Sequence, residues 1–246
     1  TEINEKSDNY EQKSVAPIIN GDTIIPGKNG REVDVRKSYQ KMRQIGYFNE
    51  RLLVYKETPI KKSLDKNRDK FIISGSKSEK SVTLIFRANN NHYLDNIVSV
   101  LKESNIKATF FIDSEFLEAN YNDVIKLIMK GHTVGNLSNK GDYMHSDFAW
   151  MKTIIVNAGS QHNNYCYAEK KDTLVLKTCS AQSSYTIIPT AVISNMPFIN
   201  AKNNLTEGAM LSFYINPELD KEIVNIINYI KGKGYKIKSL ENLLKE

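Results

Sequence analysis

The segment Lys107-Ala108-Thr109-Phe110-Phe111-Ile112 decides the fold, and we predict a β-strand over Ala108–Ile112 because β-branched and aromatic side chains dominate it. A helix is predicted before this strand over Asp95–Ser104, whose apolar residues recur with the spacing of one helix face. Another β-rich run, Ser81–Phe86, precedes the helix. This order of strand, helix and strand is typical of a βαβ unit.

The alternation continues toward the C-terminus. A helix over Val124–Met129 is expected to end at Gly131, and a strand follows over His132–Gly135. Further on, a strand is predicted over Ala209–Ile215, and Pro217 opens another helix. The remaining segments that fit the alternation are Phe148–Val156, Tyr165–Ala168, Thr173–Cys179, Tyr185–Ile188 and Tyr235–Ile237. Together these elements predict an α/β fold with a mostly parallel sheet, either open or closed into a barrel.

The N-terminal part of the chain has a different pattern. The Ser/Gly/Lys-rich segment Ser74–Ser78 separates it from the alternating region. We predict a disordered polar tether over residues 1–14, a small α+β extension over residues 15–78, and one larger domain over residues 79–246. Within the extension, the expected elements are a helix from Asp34 to about Gln44 and short strands over Arg51–Lys56 and Phe71–Ile73.

The composition excludes two classes of protein. No run of about 18 apolar residues occurs, so no membrane span is predicted. The net charge of +6 is concentrated in residues 1–78, with 16 basic against 11 acidic residues. This mild excess lacks the dense clusters of a nucleic-acid-binding protein, and it fits contact with an anionic wall polymer or membrane surface.

The first residues predict a location outside the cytoplasm. The sequence opens at Thr1, and the polar stretch 1–14 resembles a tether that follows a removed signal or a membrane anchor. We therefore expect an extracytoplasmic protein, secreted or held at the cell surface by an N-terminal anchor.

Five short motifs, in order, resemble the polysaccharide deacetylase family, also called the NodB homology domain. They are Val82–Phe86, Lys107–Ile112, Lys130–Asn136, Gly208–Tyr214 and Lys233–Tyr235. The second is similar to the family's Lys-Ala-Thr-Phe-Phe string, and the third to its Gly-His-Glu-Ile-Gly-Asn segment. The resemblance covers roughly residues 80–246. It implies a distorted (β/α) barrel.

The chemistry of that family is not preserved in the matching positions. The resemblance implies a divalent metal held by one Asp and two His, with a second Asp as general base. Here Arg87 stands at the base position, Ala88 at the Asp ligand and Leu137 at the first His ligand. The second His position falls on Gly141 or, if a short loop is inserted, on His145, which we prefer.

Two later motifs are altered as well. The family's Arg-Pro-Pro-Tyr-Gly would lie near Asn163–Tyr167, which contains no Arg, and the general-acid His is replaced by Tyr214. A tyrosine with a pKa near 10 is a poor acid at neutral pH. We therefore predict no catalytic residues and no metal or other cofactor.

Three functions remain open from the sequence. The first is a pseudoenzyme that binds cell-wall glycan, such as peptidoglycan, in the old cleft, with Arg87, Asn89, Tyr165 and Tyr214 as candidate contacts. The second is binding of a protein partner, with residues 15–78 as the contact. The third is an active N-deacetylase with zinc or another divalent metal at a rebuilt site around His145.

Three smaller predictions complete the interpretation. His132 is expected to be structural. Arg87 either binds an anionic group of a wall polymer or pairs with a carboxylate such as Asp113. Cys166 and Cys179 are expected to be unpaired. Cys166 is placed on a strand and Cys179 near the end of the following helix, which runs back along the barrel, and a helix of about ten residues rises roughly 15 Å, beyond disulfide distance.

Overall fold

The computed structural model describes residues 1–88, 92–138 and 140–246. Its helices are α1 Glu2–Lys6, α2 Val35–Met42, α3 Leu94–Glu103, α4 Ser114–Ala119, α5 Tyr121–Met129, α6 His145–Asn157, α7 Thr173–Ala181, α8 Pro197–Asn203, α9 Pro217–Gly232 and α10 Leu240–Leu243. Its strands are β1 Ile18–Asn20, β2 Thr23–Ile25, β3 Gly30–Val33, β4 Tyr55–Thr58, β5 Phe71–Ile72, β6 Ser81–Ala88, β7 Thr109–Ile112, β8 Thr133–Asn136, β9 Tyr165–Tyr167, β10 Tyr185–Ile187, β11 Ala191–Ile193, β12 Met210–Tyr214 and β13 Lys236–Ile237.

The larger sheet is mostly parallel, as the alternation predicts. Its order is β1-β2-β5-β10-β9-β8-β7-β6-β12-β11, with β13 paired to one end of β6. The predicted neighbours β6 and β7 pair in parallel, with Phe86 opposite Phe110. Strand β11 and helix α8 were not predicted. The sheet curls into a half-barrel with helices packed on its outer face, which confirms the predicted fold class.

Two apolar cores form on the two faces of this sheet. Along β6, Val82, Leu84 and Phe86 belong to the core shared with the helices. Ile85 points to the other side and packs in the barrel interior with Phe111 and Leu137. Since successive side chains of a strand alternate between faces, one strand serves both cores. Residue 87 therefore points into the barrel interior as well.

Helix α10 closes the barrel interior at the amino ends of the strands. Leu240 and Leu243 are buried in the interior core. The Leu240 N–H donates to Thr109 Oγ1 at 2.9 Å, and the Glu241 N–H donates to Thr133 Oγ1 at 3.1 Å. Both threonines are the first residues of their strands. With the amino end filled in this way, the carboxyl ends of the strands form the accessible face.

The predicted extension is not separate from the sheet. Strand β5 pairs with β10, and β2 pairs with β5, so residues 18–72 supply one edge of the larger sheet. Strands β3 and β4 form their own antiparallel pair. Helix α2 begins after Asp34, whose carboxylate accepts from the Lys37 N–H as predicted, but it ends at Met42. Of the strand predicted over Arg51–Lys56, only Tyr55 and Lys56 lie in a strand, β4.

Residues 1–14 are not a disordered tether, and this prediction is wrong. They contain helix α1, which is capped by the Thr1 side chain. Ile3 is buried in a small apolar cluster with Val33, Met42 and Leu53. The prediction rested on the average polarity of residues 1–14. It did not consider that Ile3 alone could pack against an apolar surface of the folded chain. None of the described helices is long and apolar enough to cross a membrane.

The prediction of two unpaired cysteines is also wrong. Cys166 on β9 and Cys179 on α7 form a disulfide, with their Cα atoms 6.4 Å apart. The return of the helix along the barrel was predicted, but its whole rise was counted as distance from Cys166. Because α7 runs back along the sheet, its later turns return to the level of the strand. Both cysteines are fully buried.

His132 joins two neighbouring strands. It lies just before β8, is 5% exposed, and its Nδ1 accepts the Ala108 N–H at 3.0 Å. Its ring makes a T-shaped contact with the ring of Phe110. Burial, together with the charges of Lys107 and Lys130, lowers the pKa of His132 to about 4. The residue is therefore neutral and structural, as expected.

This histidine makes stability depend on pH. Its pKa falls from 6.5 to about 4 on folding, so between these values the unfolded chain binds more protons. The free energy of unfolding should therefore be constant above about pH 6.5 and fall as the pH drops toward 4, by up to about 3 kcal/mol. His132→Asn, whose side-chain oxygen replaces the Nδ1 acceptor, should flatten this dependence in urea unfolding. His145→Asn, at an exposed position, is the control, and an unchanged slope in His132→Asn would contradict the assignment.

Candidate functional site

The accessible carboxyl ends of the strands form an open cleft of about 740 Å³. Arg87 of β6 and Tyr214 of β12 lie opposite each other in the sheet register. Tyr167, the last residue of β9, faces them. The rim is formed by the loops after β8 and β9, including Ser138, Lys140, Glu169, Lys170 and Asp172. Short parallel strands thus bring together side chains that are up to 127 positions apart in the sequence.

Glu169 holds the cleft side chains together. Its Oε1 atom accepts from Arg87 Nη1 at 3.2 Å, from the Tyr214 hydroxyl at 3.0 Å and from the Tyr167 hydroxyl at 3.3 Å. The Tyr167 hydroxyl also shares a hydrogen bond of 2.8 Å with Ser212 Oγ. Arg87 is only 7% exposed, so its charge requires such a partner.

The two tyrosines also contact the guanidinium of Arg87 through their rings. The Arg87 Cζ atom lies 4.2 Å from the ring centroid of Tyr214 and 5.5 Å from that of Tyr167. A guanidinium over an aromatic face is attracted by the ring quadrupole. Arg87 is thus fixed by a carboxylate and by two rings.

Neither tyrosine is suited to proton transfer at neutral pH. Burial raises the pKa of Tyr167 well above its ordinary value. Burial also raises the pKa of Tyr214, and this effect outweighs the opposing charge of Arg87. Both hydroxyls therefore stay protonated and serve as hydrogen-bond donors. At the position where the family resemblance implies a general acid, Tyr214 has the wrong acidity for that role.

The residues at the family's metal-ligand positions do not fit a divalent metal. Ala88 is fully buried in the core shared with the helices. Leu137 is 4% exposed and packs in the barrel interior with Phe111 and Tyr167. Neither side chain has a lone pair, whereas a catalytic zinc usually takes three protein ligands. Within residues 1–88, 92–138 and 140–246, no three His, Cys, Asp or Glu side chains are grouped as a metal site.

The rebuilt site proposed around His145 is not assembled in the described residues. His145 is exposed and is the first residue of α6. The Asp147 carboxylate accepts from the Met144 N–H at 2.8 Å and from the Ser114 hydroxyl. Asp142 accepts from Ser138 Oγ at 2.7 Å. Both neighbouring carboxylates are therefore engaged in local hydrogen bonds.

The structure places two of the four predicted cleft residues, Arg87 and Tyr214, in the cleft. Asn89 lies outside the described residues. Tyr165 lies instead at the amino end of β9, 1% exposed, where its hydroxyl bonds to Glu241. Strand β9 has only three residues, and Tyr165 and Tyr167 both face the interior at its opposite ends. The cleft position predicted for Tyr165 belongs to Tyr167.

Glu169 was missed by the sequence analysis. Asp113, the predicted partner of Arg87, instead caps α4 by accepting from the Phe116 N–H at 2.8 Å. The signal that was available is the position of Glu169, two residues after Tyr167, in a loop that follows a barrel strand. Such loops carry the functional side chains of a barrel.

Comparisons with known proteins agree with this picture. Residues 74–186 match the polysaccharide deacetylase family. The uncharacterized protein YlxY of Bacillus subtilis is 25% identical over 277 residues, which cover 100% of this chain and 83% of the relative.

Solved structures show the same fold. A family 4 carbohydrate esterase (CE4) pseudoenzyme from Bacillus anthracis has a TM-score of 0.73 and 22% identity, covering 100% of this chain and 94% of that one. PdaA of Bacillus subtilis, a family 4 carbohydrate esterase, has a TM-score of 0.59 and 18% identity, covering 73% of this chain and 86% of that one.

The ion pair of the cleft should contribute more to stability than a surface ion pair. We expect a double-mutant cycle of Arg87→Met and Glu169→Gln in urea unfolding to give a coupling energy of about 1–2 kcal/mol, because Arg87 is buried. The control pair Asp22 and Lys171, 2.9 Å apart with both side chains about half exposed, should couple much more weakly, because solvent screens exposed charges. Equal coupling in the two cycles would contradict the role assigned to Glu169.

Proposed function

We propose that the protein is a non-catalytic glycan-binding relative of the cell-wall deacetylases, on the premise that residues 74–186 match the polysaccharide deacetylase family. Its ligand is a cell-wall glycan of the peptidoglycan class, bound in the cleft of Arg87, Tyr167 and Tyr214. It acts outside the cytoplasm.

The observation that carries the non-catalytic assignment is the Arg87–Glu169 pair. Arg87 stands at the family's base position and places a positive charge beside Ala88, where the resemblance implies a metal ligand. A nearby cation disfavours binding of a second cation, in addition to the lost ligands. The site thus differs from that of a deacetylase in charge as well as in ligands.

The lining of the cleft supports binding of a glycan. Tyr214 offers an aromatic ring, and aromatic faces stack against the apolar faces of sugars. Lys140 and Lys170 on the rim supply charges that suit the carboxylates of wall peptides. Structures with this fold include peptidoglycan deacetylase PdaC of Bacillus subtilis, with a TM-score of 0.54 and 14% identity.

The buried disulfide supports the proposed location. Cys166 and Cys179 are paired, and disulfides persist in oxidising compartments such as the cell exterior. The bond also joins β9 to α7 on the two sides of the loop that carries Glu169.

Binding can be tested by co-sedimentation with purified, insoluble peptidoglycan. We expect Tyr214→Ala to weaken binding by at least about fivefold, because truncating one stacking ring costs roughly 1 kcal/mol. Lys170→Ala should weaken it as well. The matched controls are Tyr39→Ala and Lys177→Ala, which change exposed residues outside the cleft. The absence of binding by the unchanged protein, or equal losses in the controls, would contradict a glycan-binding cleft and leave a protein partner as the alternative.

Activity is tested by release of acetate from acetylated chitooligosaccharides or peptidoglycan fragments in the presence of zinc or cobalt. We expect none above a no-protein control, and none from Ala88→Asp, because one new carboxylate supplies too few ligands. Release should require Arg87→Asp, Ala88→Asp and Leu137→His together, since residues that act as a unit are non-additive. A mutant of a CE4 pseudoenzyme with this fold has restored enzymatic activity, which makes this substitution test reasonable.

Metal-dependent acetate release by the unchanged protein, abolished by His145→Ala, would overturn the proposal. It would instead support the active N-deacetylase with a rebuilt site.

A further inference from the structure

A second cavity of about 220 Å³ lies on the outer side of the barrel, between helices α4 and α6. Leu117 and Glu118 of α4, Ser146 and Trp150 of α6, and Asn136 of β8 line it. Val134, two residues before Asn136, packs in the core shared with the helices, so Asn136 faces the same outer side. None of these residues lines the cleft of Arg87.

Asn136 is the buried polar residue of this cavity. It is 3% exposed, and its Nδ2 atom is buried without a hydrogen-bond partner in the described structure. A buried amide without a partner costs about 1–3 kcal/mol, and native proteins contain few such groups. Because Asn136 also lines the cavity, a ligand bound there can supply the missing partner.

Trp150 provides an aromatic face that is fixed in place. It is 52% exposed, so its ring is accessible to a ligand. Tyr121 holds it in a T-shaped contact with ring centroids 6.2 Å apart. The Tyr121 hydroxyl in turn accepts from Asn157 Nδ2 at 2.7 Å. The tryptophan ring is therefore positioned before any ligand arrives.

The charged residues that line the cavity between α4 and α6 determine which kind of ligand it can bind. The cavity has two carboxylates, Glu118 and Asp147, and no Lys or Arg. Asp147 already accepts from Met144 N–H and from the Ser114 hydroxyl. Glu118 has no hydrogen bond or ion pair with the described residues, so it is an available acceptor. Phosphate, sulfate and carboxylate ligands are disfavoured, and a ligand with several hydroxyl donors is favoured.

We propose that this cavity binds a single sugar ring. The ring stacks its apolar C–H face on Trp150 and places its hydroxyls against Asn136, Glu118 and Ser146. Amide and hydroxyl groups both donate and accept, which matches the two-sided hydrogen bonding of sugar hydroxyls. The volume is below the range of about 300–1,000 Å³ that is typical of larger ligands, so it suits one ring rather than a chain. The site does not depend on the function proposed for the cleft.

The protein contains one tryptophan, so its fluorescence reports directly on this cavity. Trp150 emission should be followed under selective tryptophan excitation during titration with N-acetylglucosamine, glucose and, as a pure ammonium probe, methylamine. N-acetyltryptophanamide provides the correction for solvent effects. We expect a saturable change with at least one of the two sugars, with half-saturation in the range of about 1–10 mM for so small a ligand.

Variants distinguish this site from the cleft. Glu118→Gln and Ser146→Ala should each weaken the response by at least about threefold, and Asn136→Ala by more, provided its circular dichroism is unchanged. Glu115→Gln, on the same helix but outside the cavity, should have no effect. Tyr214→Ala should also leave the titration unchanged, so that failure of the cleft proposal can be recognised separately.

Three results would overturn the proposal. They are no saturable change with either sugar, a response to sugar that is unaffected by Glu118→Gln and Ser146→Ala, and saturation by methylamine without a sugar response.

Discussion

Strand β6 is the element on which the rest of the structure depends. All eight of its residues are buried, and it pairs with β13 and β7 along one edge and with β12 along the other. A strand buried on both faces must alternate its side chains between two cores, and this fixes which residues meet the helices and which fill the barrel. The same alternation directs Arg87 into the interior at the carboxyl end. A charge in that position is tolerated only with a partner, and Glu169 supplies it.

The alternation of side chains along β6 connects the fold to the residues that line the cleft. In a barrel of parallel strands the carboxyl ends carry the functional side chains, and here they carry a guanidinium, two tyrosines and a leucine. These side chains are linked to one another, because Glu169 accepts from Arg87 and from both tyrosines. The hydrogen-bonded lining of the cleft suits the binding role that we propose for it. Function lies in these side chains, whereas the fold is shared with a family 4 carbohydrate esterase.

Local pattern predicted most of the barrel, because buried strands and one-sided helices leave a periodicity that a short window contains. Of the positions that the motifs single out, Arg87 and Tyr214 line the cleft. The predictions that were wrong or incomplete concern contacts between segments that are distant in the sequence. Glu169 follows a three-residue strand and meets Arg87 82 positions away, and Ile3 finds its apolar cluster only in the folded chain. The disulfide depends on how close the later turns of α7 come to β9, a distance that the lengths of the two elements do not give.

We propose that a buried ion pair occupies the cleft in place of the metal centre of a deacetylase. The test is elemental analysis of protein purified without chelators and dialysed against zinc, followed by anomalous scattering from crystals grown in zinc. We expect far less than one zinc per chain and no anomalous peak between Ala88 and Leu137. One zinc per chain at that position would contradict it.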